Sequence, residues 1–210
     1  MSNGFLDVAT TPSVLAAQAA NGSAGLYDNV VAKRPSNRFS QTEAMFISAR
    51  DSLYMASVSE NGWPYVQHRG GPPGFIKLID ETTLAFPDFR GNRQYISLGN
   101  IAAENRAALI LMDYPRRRRL KLYGRIEARD LAADPDLAAR LSLPDYRAVI
   151  ERAFLLRLEA FDWNCPQHIT PRFTEAEIAA ASAPLTQRLA ELEAENAALR
   201  AEIAKVDPAS

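Results

Sequence analysis

SLYMASVSENGWPYVQHR, residues 52–69, is the segment from which the architecture is read. It has the texture of strands: SLYMASVS (52–59), a Glu60-Asn61-Gly62 turn, then WPYVQHR (63–69). The Asn-Gly pair supplies the positive φ that a tight hairpin needs. Downstream, GFIKLI (74–79) and TTLAFP (82–87) are parted by Asp80-Glu81 and predict a second hairpin. AALILMD (107–113) reads as a buried strand. Residues 119–127 alternate, with Leu120, Leu122 and Ile126 pointing one way and Arg119, Lys121, Tyr123, Arg125 and Glu127 the other, which predicts a half-buried antiparallel strand. AFLLRLEAF (153–161) is the last strand.

Helical signals fall between and around these strands. Ser40 and Glu43 have capping-box spacing and open a helix carrying Met45, Phe46 and Ile47 toward Arg50. Residues 93–104 place Tyr95, Ile96, Leu98, Ile101 and Ala102 at helical spacing. Short helices are expected near 134–141 and again after Pro144, and one near 12–20 in an Ala-, Ser-, Asn- and Gly-rich arm. Six or seven short strands with close turns predict a small antiparallel barrel, mainly β with flanking helices. No GxGxxG follows a strand and the connections are too short for crossovers, which disfavours a Rossmann sheet.

The chain has 210 residues with nearly cancelling charges, a formal net of −1 at pH 7, and 47% apolar residues. That balance disfavours a polycation for nucleic acid and is enough for a buried core. The longest apolar runs are far short of the ~20 residues of a membrane helix. The start MSNGFLDVAT lacks the basic and apolar blocks of a secretory signal, so a soluble cytoplasmic protein is expected. One cysteine excludes an internal disulfide and a multi-cysteine zinc site. Charge is nonetheless uneven: 106–129 is strongly basic and 174–207 acidic, pointing to regions with different roles.

The acidic tail carries the clearest local pattern. Thr174 and Glu177 form a second capping box. Leu185, Leu189, Leu192, Asn196, Leu199, Ile203 and Val206 follow in steps of four and three, the a/d seam of a coiled coil with Asn196 at a. Arg188 and Glu195 at g face Glu193 and Arg200 at e of a partner helix, which predicts parallel self-association; an amphipathic helix docked on its own domain is the alternative.

Four stretches hold the unusual chemistry. Gln67 and His68 precede RGGPPGF (69–75), whose glycines either admit a ligand close to the backbone or build a strained hairpin connection. His68 is a candidate general acid, or a hydrogen-bonded structural residue. DFRGNRQ (88–94) sets Arg90, Asn92, Arg93 and Gln94 at a strand-to-helix junction, an arrangement that suits a phosphate or a solvated loop. PRRRRLKL (115–122) places four arginines at a strand start, which calls for a phosphate, an acidic substrate or a partner subunit. FDWNCPQHITPRF (161–173) gathers Trp163, Asn164, Cys165, His168 and Arg172, as an aromatic lid over a cofactor or as a packed C-terminal cap. Cys165 and His168 have ligand-like spacing, but no second pair closes a metal shell. No GxSxG, HExxH or Walker loop occurs. Binding donors with few reactive side chains point to a cofactor as the carrier of the chemistry.

From about Met45 to Arg129 the sequence resembles the pyridoxamine 5'-phosphate oxidase-like, FMN-binding split β-barrels. The resembling pieces are NGWPYVQHRGGPPGF, LAFPDFRGNRQY, ISLGNIAAENRAAL and RLKLYGRIEA, while FDWNCPQHITPRF looks like the closing segment of predicted flavin-nucleotide-binding proteins of that group. The resemblance implies a six- to seven-stranded antiparallel split barrel with FMN in a cleft between two subunits. By resemblance, Arg93 and Gln94 hold the FMN phosphate with Asn92 as a further donor. Gln94 stands where a lysine is common, and Gln67 where the oxidase has a phosphate-binding arginine, with Arg69 or Arg90 to supply the missing charge. Gln67, His68 and Arg69 would run along the flavin edge, and Pro87 and Asp88 beside its ring. Arg119 matches a position reaching the flavin from the second subunit, and Trp163 and Arg172 lie where the oxidase C-terminus closes the site. The Arg- and Trp-containing signature for pyridoxamine phosphate is absent, so that substrate is not implied.

The expected organisation is an arm over 1–38, an FMN-binding barrel over 39–173 and a helix with a leucine-zipper pattern over 174–210. The expected function is a homodimeric FMN-dependent oxidoreductase acting on a small molecule or electron donor. A non-catalytic flavin- or haem-binding module with a partner-recruiting helix is the alternative, and a nucleic-acid scaffold is disfavoured.

Overall fold

A computed structural model describes residues 4–26, 36–163 and 166–206, without the side chains of Ala204 and Val206. Asn164 and Cys165 lie outside the described residues, as does Asp207. The described chain separates into two compact units, one running to Ile169 and one from Thr170 onward.

Seven strands form one antiparallel sheet in the first unit: β1 (Ser52–Val58), β2 (Pro64–Gly70), β3 (Lys77–Leu78), β4 (Thr83–Phe89), β5 (Arg106–Asp113), β6 (Arg118–Arg129) and β7 (Ile150–Trp163). Their order is β2-β1-β5-β6-β7-β4-β3, so β2 and β3 are edges and the barrel does not close. One core cluster takes Leu53 and Met55 from β1, Leu109 and Leu111 from β5, Leu120 and Leu122 from β6, and Phe86 and Phe154 from β4 and β7. The two halves of the sheet therefore curl around a shared interior. This is the split barrel.

Helices flank the sheet: α1 (Phe5–Ala9), α2 (Pro12–Ala20), α3 (Gln41–Ser48), α4 (Ile96–Ala103) and α5 (Pro135–Leu141). The Ser40–Glu43 capping box opens α3, which buries Phe46 and Ile47. Asn100 of α4 donates to the Ser57 hydroxyl at 3.1 Å, a buried bond that fixes α4 on β1. Leu137 and Leu141 of α5 cover Ala85, Ala153 and Leu155 on the other face of β4 and β7, so β7 is buried on both sides there. The arm is engaged too, because Phe5 stacks on Tyr123 with ring centroids 4.6 Å apart.

Four expectations need correction. GFIKLI pairs only at Lys77 and Leu78, because Phe75 and Ile76 plunge into the core after a turn in which Gly74 has φ 84°. AALILMD buries one face only, with Ile110 on the exposed side. No helix follows Pro144: Tyr146 instead packs edge-on against Phe89 at 5.2 Å, and β7 begins at Ile150, leaving too few residues for a helix. The helix expected over 93–104 starts at Ile96.

The second unit holds α6 (Glu175–Val206), whose interior contains Pro184. Proline removes a backbone donor from the helix interior. Nearby hydroxyls take up carbonyls of this stretch: Ser182 donates to Ile178 O and Ala179 O at 2.9 and 3.2 Å, and Thr186 donates to Ser182 O at 3.2 Å. Among the described residues no helix is long and apolar enough to cross a membrane.

Candidate functional site

A groove of about 390 Å³ opens where β2, the end of β4 and the segment leading into α4 meet. A bulge shapes it. Asp88 pairs with Arg152 but Phe89 pairs with Ile150, and this slip swings the chain out of the sheet. Just before it, Pro87 is tolerated in β4 because the two-residue β3 has already ended, leaving no strand on that side to receive an N–H.

The segment 90–95 is unusually shaped. The Asn92 side chain accepts from Gln94 N at 3.1 Å, an Asx-type turn, and the amides of Asn92 and Gln94 bond each other at 3.2 Å. Arg93 and Tyr95 both adopt left-handed backbone, φ 63° and 53°. Residues with a side chain avoid that region, so each costs on the order of 1 kcal/mol that surrounding contacts must offset.

Charges alternate along the groove floor. Asp88 is buried and accepts from Arg69 Nη1 at 2.5 Å and Arg152 Nη1 at 2.7 Å. Arg152 lies 3.6 Å from Glu151, which accepts from Arg90 Nε at 2.9 Å and from the Tyr95 hydroxyl at 3.2 Å. The Arg90 hydrogen bond lowers the pKa of the Glu151 carboxyl from its ordinary value. Arg93 makes no hydrogen bond or ion pair among the described residues. Among the residues lining the groove, Arg69, Arg90 and Arg93 outnumber Asp88 and Glu151 by one positive charge, while Arg152 pairs with both carboxylates without lining it. The Nε of Arg69 is buried without a hydrogen bond.

The groove brings together Gln67, His68, Arg69, Pro87, Asp88, Asn92, Arg93 and Gln94. Their local states refine the sequence reading. Arg69 and Arg90, expected to supply the charge missing at Gln67, each pair with a carboxylate of the groove. Gln67 accepts from the Tyr65 hydroxyl at 2.5 Å. His68 sits edge-on to Tyr54, centroids 5.5 Å apart. The glycines of RGGPPGF answer to the protein itself: a Cβ on Gly71 would lie 2.7 Å from the Phe75 ring, and Gly74 occupies a positive-φ turn.

Arg119 and Trp163 are not among the residues lining this groove. Trp163 donates from Nε1 to Glu43 at 2.7 Å, stands edge-on to Phe46 at 4.7 Å and carries Arg118 over its ring at 4.5 Å. These contacts pack it within its own chain. Arg172 belongs to the second unit. The arginine run is largely accounted for internally: Arg116 pairs with the buried Asp113, Arg117 donates to Pro166 O at 3.2 Å, and Arg118 stacks on Trp163. Arg119 differs, since its Nε is buried with no partner.

Sequence reasoning missed Tyr65, Phe89, Tyr95, Tyr146 and Glu151 as lining residues. Tyr146 arrives from the loop before β7, and nothing short of the fold signals its proximity. Among the described residues no three His, Cys, Asp or Glu side chains gather as a metal site.

An open antiparallel split barrel with a cationic groove beside its edge strand defines the class. The pyridoxamine 5'-phosphate oxidase family model matches residues 39–160, more than half the chain, and the chain belongs to that family. Similar solved structures include HupZ of Group A Streptococcus, with 16% identity, 64% of this chain and 99% of that one covered, and a TM-score of 0.45. An FMN-binding protein of Syntrophomonas wolfei has 12% identity, coverage of 58% and 83%, and a TM-score of 0.44. A protein of the pyridoxinephosphate oxidase family related to general stress protein 26, from Clostridium acetobutylicum, has 18% identity, coverage of 64% and 92%, and a TM-score of 0.41. No curated protein matches the sequence.

Proposed function

We propose that the chain is an FMN-dependent oxidoreductase of the pyridoxamine-phosphate-oxidase-like type, acting as a homodimer with the cofactor between subunits. The observation that carries this reading is the Arg93 guanidinium, without a partner among the described residues and held in left-handed backbone at the rim of a groove whose lining carries an excess positive charge. A phosphate monoester at neutral pH carries close to two negative charges. Arg93 and the Asn92–Gln94 turn would take the phosphate. Tyr65, Pro87, Phe89, Tyr95 and Tyr146 offer flat or apolar surface for a ring system, in a volume within the ~300–1,000 Å³ of ordinary ligand sites. The residues present therefore fit FMN.

When bound, FMN supplies a ring that accepts and donates hydride or electrons. The chain's own groups bind and orient. The Arg69–Asp88–Arg152–Glu151–Arg90 ribbon keeps the floor rigid, and His68 at the end of β2 marks the exposed edge. The dimer is supported by the outer face of β2, β1 and β5, where Val66, Val58, Tyr54 and Ile110 remain exposed side by side and reach His68 at the groove. A second copy on that face would close the groove, with Arg119 of that copy as the residue that would reach it.

The test is spectroscopic. Purified protein supplied with FMN should show a bound-flavin spectrum that bleaches on NADH or NADPH addition under nitrogen. Protein that takes up no FMN defeats the reading, and uptake without bleaching by either donor reduces it to a flavin-binding module.

A further inference from the structure

The heptad spacing of the tail continues further back than its leucines. Ile178 and Ser182 occupy the d and a positions that precede Leu185, so the seam runs unbroken across Pro184, with Asn196 at a. Pro184 itself falls at c, on the outer side, where a missing N–H leaves the seam intact. The apolar seam residues from Ile178 to Ile203 are exposed in the chain, from 45% at Leu192 to 74% at Leu185. A helix whose leucines stay in water gains little from packing, and isolated helices are marginal without it.

The flanking charges are equally unpartnered. Glu193, Glu195 and Arg200 make no ion pair among the described residues, and Arg188 only folds back onto its own Glu191 at 3.1 Å. In a parallel, in-register pair, Arg188 of each copy meets Glu193 of the other, and Glu195 meets Arg200, all opposite in sign. Asn196 then faces Asn196, so each amide finds a partner. An antiparallel pair with the same overlap sets Asn196 level with Leu185 and buries the amide against apolar surface, which is unfavourable.

We infer that the segment from Ile178 to Val206 forms a parallel, in-register two-stranded coiled coil with the same segment of a second copy of this chain. This goes beyond the flavin reading and does not depend on it. Cys165 is the single native cysteine, so single-cysteine full-length variants on a Cys165→Ser background test the pairing directly. Leu185→Cys and Ile203→Cys lie near opposite ends of the seam, while Ala201→Cys lies at f on the outer side. Cysteines can bridge only when their Cα atoms come within ~7 Å. Under mild oxidation of the purified protein, the result expected is a covalent dimer at both Leu185→Cys and Ile203→Cys, with Ala201→Cys remaining reduced. Failure to cross-link at either end, or cross-linking at Ala201→Cys as fast as at the seam, overturns the inference; failure at both ends with the helix intact by circular dichroism assigns the face to a different partner.

Discussion

Arg93 is at once strained and without a partner among the described residues. An arginine bound to phosphate contributes a charge-assisted hydrogen bond, so Arg93→Ala should weaken FMN binding by about 1.5–3 kcal/mol in a fluorescence titration. An unchanged affinity refutes the phosphate assignment. Since glycine relieves the left-handed strain, Arg93→Gly should lose the same affinity without lowering the melting temperature. Glu43 is the other informative residue. Burial alone would raise its pKa, but hydrogen bonds from Ser40 and Trp163 outweigh burial, and the net value falls below the ordinary 4.5. A folded-state pKa below the unfolded one means that the stabilisation is complete above the unfolded value and is lost as pH falls through the folded one. Urea unfolding from pH 6 down to pH 3 should therefore show a steeper loss of stability in the native protein than in Glu43→Gln. The Ser40–Glu43 half of this cluster was legible as a capping box; the Trp163 half was not, because it closes over 120 residues of separation.

At the scale of elements, strands announced themselves through local alternation, and the β1–β2, β3–β4 and β5–β6 pairings followed from short turns, whereas β1–β5, β4–β7 and β6–β7 did not. β6 is the best case: Leu120, Leu122 and Ile126 are buried as its period of two requires. What alternation could not convey is where a strand bends. β6 slips register against β7 between Tyr123 and Gly124, and a Cβ on Gly124 would stand 2.5 Å from the Arg157 carbonyl oxygen. Gly124→Ala should accordingly destabilise the fold by about 1–3 kcal/mol in chemical denaturation, the range for overpacking, and a neutral result would mean the two strands can part there. The absent helix after Pro144 has the same origin. Local propensity favoured it, but the Tyr146–Phe89 contact and the early start of β7 prevailed. The groove shows a similar division. Its β2 and 88–94 residues were readable from motifs, whereas Tyr95's hydroxyl, Tyr146 and Glu151 come from pairing and loop closure that no short motif encodes.

At the scale of the whole molecule, two surfaces ask for a second copy: the outer face of β2, β1 and β5, and the seam of α6. They are separable. Truncation after Pro184 removes most of the seam and should leave a flavin-bearing dimer of lower stability, read by sedimentation and absorbance together. A soluble monomer that still holds flavin would show that the sheet face is not the principal interface.

The most direct measurement is a crystal structure grown with saturating FMN. The account predicts the phosphate within hydrogen-bond distance of the Arg93 guanidinium, the ring beside Pro87 and His68, and a neighbouring subunit closing the groove. Flavin bound elsewhere, or a groove left vacant at saturation, would contradict it.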